Sequence, residues 1–412
     1  MSILTKEKLK KTVTSPSRIA IIVAVVLIVA SIVRRITGAD DITSAGATGA
    51  TLRFTIPLLM AGLGGLWAER SGVINIGLEG MMIAGTWLGA WFGFLHGPLV
   101  GFICAAIGGA LIGLFHGFLV VKIGIDQAVS GLAINLLALG TARYLSSIYF
   151  APNGGDISLS PQVKQPGVFS VPILSSFLAD LNAKNIIVIS DAAGILGGFV
   201  TEVSYATVLL FLLVPISTWL LWRTRFGLRL RFCGENPVAA ESLGVKVFRT
   251  RYIALAISGM FASLGGAYLC MVSASVYREG QTAGRGFIGL ATVIFGNWRP
   301  TGVLAGSFLF GFTDALRVRQ STSVHAILLV IVILGLLFAM WKLFQRNYKV
   351  FGISALSSLI VGVIFLKVPK IPDEFVTFFP NLATILVLVL LAQKLRPPAM
   401  LAVPFREREE GH

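Results

Sequence analysis

The polar residues of this otherwise apolar chain are few enough to be read one by one. Asn75, Gly77 and Glu79 fall in a Gly-punctuated break, Ser71-Gly72-Val73-Ile74-Asn75-Ile76-Gly77-Leu78-Glu79-Gly80, between two apolar stretches. Lipid tolerates an amide and a carboxylate poorly, and a helix interrupted inside a bilayer frees backbone groups that protein or a water-filled cavity must satisfy. The break is therefore expected to line a path for a solute, with a tight cytoplasmic turn between two spans as the plainer alternative. Downstream, Gln127 and Ser130 stand at i and i+3 and Asn135 follows on the same helical face. Asn297 opens a second break, Asn297-Trp298-Arg299-Pro300-Thr301-Gly302. Amides, a hydroxyl and a carboxylate can hydrogen-bond a neutral, multiply hydroxylated solute that carries a base edge. Each also has a structural reading, because Ser, Asn and Gln hydrogen-bond between membrane helices and Glu79 can serve as a salt bridge or a helix cap.

Bond-making chemistry has no support in the pattern. There is no GxxxxGK[ST] phosphate loop and no HExxH spacing, and the four histidines, His96, His116, His325 and His412, are scattered. Cys104, Cys233 and Cys270 stand singly, without the spacing of a zinc site or a disulfide framework. No catalytic residue, metal site or cofactor is expected in this chain.

Composition sets the class. Of the 412 residues 55% are hydrophobic and only 13% charged, which points to an all-α, polytopic transmembrane helical bundle and to a single membrane domain over 1–412. Lys and Arg outnumber Asp and Glu by 34 to 19, but no soluble basic domain exists to bind nucleic acid, and the excess falls in short loops beside apolar spans. The N-terminus carries Lys6, Lys8, Lys10, Lys11 and Arg18 ahead of an uncharged run from Ile19 to Val33. The small-x-small Ala45-Gly46-Ala47 lies well past that run, so an uncleaved first helix with a cytoplasmic N-terminus is expected.

Further apolar segments lie near 51–67, 81–95, 99–121, 127–149, 203–222, 252–273, 287–298, 301–313, 324–341, 351–366 and 376–393. A span needs roughly 20 residues, so 287–298 and 301–313 are expected to be half-helices or a re-entrant pair around the Asn297 turn. Alternation puts 223–251, with seven Lys or Arg against two Glu, in the cytoplasm together with the C-terminal tail. It puts 150–202, with two Lys against four acidic residues, outside, with an irregular start marked by Pro152, Gly154, Gly155, Pro161 and Pro166.

Within 223–251, Asn236 can cap a short helix that starts at Pro237 and closes at Gly244. Ala239 and Ala240 would let another protein's groove approach closely, and Arg229, Arg231, Lys246, Arg249 and Arg251 would hold the helix at the membrane surface. A docking element is the functional reading and a connector without a partner the plain one.

Ala68 to Met82 resembles the signature of ABC importer permeases of the nucleoside type, within the larger group of ribose and branched-chain amino acid permeases. Asp126 to Ala138 resembles that family's fifth-helix motif, the Glu235 to Gly244 segment its ATPase-contacting loop, and Gly284 to Ala291 and Arg396 to Met400 agree with it. The resemblance implies a core of about ten helices, to which residues near 320–372 add a pair, making about twelve spans in all. It implies a permease subunit that imports nucleosides without chemistry of its own. Its partners would be an ATP-binding cassette ATPase, which holds ATP and Mg, a related second permease forming a heterodimer, and an extracytoplasmic substrate-binding lipoprotein. The setting would be a bacterial inner membrane, with both termini cytoplasmic. On this resemblance Asn75, Gly77, Glu79, Gln127, Ser130, Asn135 and Asn297 would line the substrate pathway, and Glu235, Asn236, Pro237, Ala239, Ala240 and Gly244 would couple to the ATPase.

Two other readings compete. A permease of the same kind could carry a ribose-like sugar or another small solute. An ion-coupled secondary carrier also uses broken helices, but the segments 81–121 and 252–277 carry no charged residue, and Glu79, Asp126 and Asp314 sit at segment ends.

Overall fold

A computed structural model describes residues 16–317, 321–368 and 395–405. The basic residues Lys6 to Lys11 and the apolar segment 376–393 lie outside the described residues. Among the described residues fifteen α-helices, numbered here in chain order, make up most of the chain: α1 (Pro16–Thr37), α2 (Ala45–Arg70), α3 (Leu78–His96), α4 (Pro98–Gly117), α5 (Gln127–Tyr149), α6 (Leu174–Ala183), α7 (Ile189–Gly197), α8 (Tyr205–Arg223), α9 (Arg225–Glu235), α10 (Pro237–Ser242), α11 (Val247–Tyr268), α12 (Arg285–Phe295), α13 (Pro300–Arg317), α14 (Ser321–Phe344) and α15 (Tyr348–Lys367). Wider helical turns prolong α4 over Phe118–Ile123 and α11 over Leu269–Ser273. Among the described residues eight helices are long and apolar enough to cross a membrane. The chain is a polytopic helical bundle.

Local chemistry explains the joints. Gly97, at φ 91°, turns the chain between α3 and α4, and Pro98 starts α4 where its missing N–H costs nothing. Asp126 caps α5 by accepting from the Ala128 and Val129 N–H groups at 2.9 and 3.0 Å. The expected pair at 287–298 and 301–313 differs in length. α12 is short, with 11 residues, but α13 runs for 18 residues from Pro300 to Arg317. It continues past the apolar run because Asp314 is neutralised by Arg285 of α12 at 2.8 Å. Residues 150–202 start irregularly, as their Pro and Gly residues require, but the second half folds into α6 and α7.

The chain divides into two compact units. One comprises 1–50, 169–203 and 315–379. In it Val29 and Val33 of α1 pack on Ala326, Leu329 and Val330 of α14. The buried Asp191 of α7 accepts from Ser31 and Thr43 and pairs with Arg34 at 3.2 Å. The other unit comprises 51–168, 204–314 and 380–412. Its main core joins Trp67 of α2, Leu210 and Val214 of α8, Leu230 of α9, Phe261 of α11, Val293 of α12 and Val303 of α13. Backbones approach closely where α4 meets α11: a Cβ on Gly109 would lie 2.3 Å from the Gly259 carbonyl oxygen.

Candidate solute pathway

Within the second unit α2 stops at Arg70, and Gly72, at φ 94°, turns the chain in a conformation that favours glycine. Residues 73–77 then run outside any helix until α3 begins at Leu78. Their freed backbone groups are met by α5. Gln127 Oε1 accepts from the Ile74 N–H at 2.8 Å, Asn135 Nδ2 donates to the Ile76 carbonyl at 3.0 Å, and Asn135 Oδ1 accepts from the Gly80 N–H at 2.7 Å. Gln127 and Asn135 share a helix face, as their spacing predicts, and that face clamps the break. The contact is close: a Cβ on Gly80 would lie 2.8 Å from Asn135 Cα, and one on Gly131 2.7 Å from the Gly77 nitrogen. At Gly77 the nearest neighbour of such a Cβ is Asn75 Oδ1 at 3.2 Å.

Glu79 takes the cap reading. Its two carboxylate oxygens accept from the Gly284 N–H at 2.9 Å and the Gly286 N–H at 2.7 Å, at the start of α12. A carboxylate at a helix N-terminus is stabilised by the amides that point at it. Ser130 turns from the break to α4, where its hydroxyl meets His116 Nδ1 at 2.9 Å. Asn75 is fully buried and donates to Ser258 Oγ of α11 at 2.9 Å. Three buried polar atoms at the break stay unpaired, Asn75 Oδ1, His116 Nε2 and Arg251 Nη2. His116 and Ser258 are the residues that sequence reasoning missed; a lone His in an uncharged helix was the available signal. Polar atoms unpaired at a backbone break suit a water or a passing solute better than lipid.

Asn297 lies elsewhere. Its backbone has φ 49° and its Oδ1 accepts from the Arg396 N–H at 2.8 Å, while Trp298 donates from Nε1 to Glu69. It belongs to the end that carries α9 and α10, apart from the Asn75 cluster. An apolar cavity of about 320 Å³ between α3, α4 and α5 is lined by Trp87, Phe115, Ile134, Leu137, Thr141 and Leu145, none of them an expected pathway residue.

The α9–α10 segment forms as its cap residues predict. Asn236 Oδ1 accepts from the Ala239 N–H at 3.0 Å, Pro237 occupies the first turn, and Gly244 closes the helix at φ 78°. Ala240, however, is fully buried with Cys233 and Val247, so it faces this chain's own interior and offers nothing to another protein's groove. Pro237 is buried too, and the outward residues are Val238, Ser242 and Leu243, with Ala239 half-buried. Two of the flanking cations also turn inward. Arg231 donates to the Leu221 carbonyl at 2.9 Å and lies over Trp222, and Arg251 is buried against Ser71, leaving Arg229, Lys246 and Arg249 exposed. Burial raises the pKa of the Cys233 thiol, which keeps it protonated and unreactive.

Residues 47–366 match the family described as the branched-chain amino acid transport system permease component. The chain is 35% identical over 281 residues to the guanosine ABC transporter permease protein NupQ of Bacillus subtilis strain 168, covering 66% of this chain and 82% of that one. It is 33% identical over 274 residues to the nucleoside ABC transporter permease protein NupC of Lactococcus lactis subsp. cremoris, covering 65% and 80%. It is 24% identical over 321 residues to the glucose ABC transporter permease protein TsgB13 of Haloferax volcanii, covering 76% and 80%. No solved structure matches.

Proposed function

Since the chain belongs to the family of branched-chain amino acid transport system permease components, we propose that it is a permease subunit of an ABC importer that moves nucleosides into the cell. An ATP-binding cassette ATPase, with its ATP and Mg, drives it. A related second permease completes the path and an extracytoplasmic lipoprotein delivers the solute. The protein sits in a bacterial inner membrane with both termini inside, where the basic 223–251 segment faces the ATPase. The observation that carries the transport reading is the joint at the break: the broken segment and the start of α3 meet α5 and the start of α12 through Gln127, Asn135 and Glu79. Such a joint can change geometry as one piece between outward-open and inward-open states. Asn75 and His116 supply the polar atoms there that could meet a solute, whereas Gln127, Asn135 and Glu79 hold the backbone. The nucleoside reading rests on similarity to NupQ and NupC. A sugar is the second reading, favoured by the similarity to TsgB13.

Competition separates the two. In vesicles holding this chain, the second permease, the ATPase and the binding lipoprotein, labelled guanosine uptake should be suppressed by unlabelled purine or pyrimidine nucleosides and hardly at all by ribose or glucose. Uptake of labelled glucose or ribose that nucleosides do not compete would replace the substrate and leave the importer standing.

A further inference from the structure

Residues 395–405 are tied to the rest of the second unit at several points. Asn297 Oδ1 accepts from the Arg396 N–H at 2.8 Å, in the turn between α12 and α13. Glu235 Oε2 accepts from the Ala399 N–H at 3.1 Å, where α9 gives way to α10. The Met400 N–H donates to the Gly234 carbonyl at 2.9 Å, and the Ala402 N–H to the Gly72 carbonyl, at the start of the break, at 3.1 Å. Side chains reinforce these bonds. Leu395 and Leu401 pack on the main core, Phe405 packs on the Cys233, Ala240 and Val247 cluster, and Arg251 lies 5.7 Å over the Phe405 ring. Ala402 and Pro404 also wall a cavity of about 130 Å³ shared with Ile74, Gln127 and Arg251.

The parts so joined have little slack between them. A Cβ on Gly234 would lie 2.4 Å from the Arg70 carbonyl oxygen, and one on Gly72 3.3 Å from Gly234 Cα. Glu235 Oε1 lies 3.8 Å from Arg70 Nη1, and Arg70 donates from Nε and Nη2 to the Trp298 carbonyl at 2.9 and 2.6 Å. Asn297 and Trp298 both have positive φ, 49° and 54°, a conformation that persists when its surroundings over-determine it. Displacement of the end of α9 must therefore carry with it the start of the break, the α12–α13 turn and the C-terminal segment, or break these bonds.

We propose that Arg396–Ala402 is a positioning strap that transmits movement of the α9–α10 segment to the break and to the α12–α13 turn, with Glu235 as the positioning residue that holds the strap and Arg70 together. This rests on the ATPase-driven reading above. A strap differs from an anchor in what its loss does: an anchor's loss lowers everything together, whereas a strap's loss separates ATP hydrolysis from solute movement.

Arg396→Pro removes the donor to Asn297, Ala399→Pro removes the donor to Glu235, and Ala399→Gly keeps that donor. In the complete reconstituted complex, uptake and ATP hydrolysis are measured in the same vesicles, and assembly is read by co-elution. Both Pro variants should assemble and hydrolyse ATP, while solute moved per ATP falls about fivefold or more, the low end of ordinary coupling energies. Ala399→Gly should behave as the parent. The strap is overturned if solute per ATP is unchanged in the Pro variants, if hydrolysis and uptake fall in parallel, if Ala399→Gly fails as badly as Ala399→Pro, or if neither Pro variant assembles. The ratio is taken with whichever solute the parent complex moves, so a wrong solute overturns the substrate reading alone.

Discussion

At the break, side-chain amides do the work that a continuous helix would do for itself. Asn135 meets a carbonyl and an N–H that no helical neighbour satisfies, and Gln127 meets a third group. Removing one partner of a buried hydrogen bond costs about 1–3 kcal/mol. Asn135→Ala leaves two groups without partners, so it should lower the melting temperature in detergent and the transport rate together. Asn75→Ala removes one bond to Ser258, a weaker one to the Met81 sulfur, and the unpaired Oδ1. It should cost less stability and yet reduce transport as severely; normal transport by Asn75→Ala would leave Asn75 a structural residue only. The sequence showed which residues share a face because spacing alone sets that. It did not show what stands opposite, so Glu79 and Asn135 were legible as polar but their partners Gly284, Gly286, Ile76 and Gly80 were not.

Among the elements, the short α10 was legible to the residue, since an Asn cap, a Pro in the first turn and a closing Gly are local signals. Its orientation was not, because a helix this short has too few turns for periodicity to show a buried face. That is why Ala240 turned out to face inward. Ala240→Arg should therefore unfold the segment, costing more than about 3 kcal/mol through overpacking and an unpaired buried charge. Leu243, which is 75% exposed, is the better probe of docking. Leu243→Arg should leave the melting temperature unchanged and reduce co-purification of the ATPase; full co-purification and full transport would remove the docking role from α10. The length of α13 was illegible for a different reason, since only the fold brings Arg285 to Asp314.

For the whole molecule, composition and hydropathy were sufficient for the class, and eight of the described helices can cross a membrane. The division into two units was not visible, because the first gathers α1, α6, α7 and α14 from distant stretches of chain. The second holds the break, α5, α12 and the α9–α10 segment, which are the parts an ATP-driven permease needs in one body. At the break itself the carboxylate of Glu79 is occupied in capping the start of α12. Energy source is thus the central question, and one measurement answers it. Vesicles containing the complete complex are loaded with ATP, or given an imposed proton gradient without ATP, and the initial rate of labelled nucleoside uptake is compared. The account predicts rapid uptake with ATP that survives collapse of the proton gradient, and none with the gradient alone. Uptake driven by the gradient without ATP would contradict it.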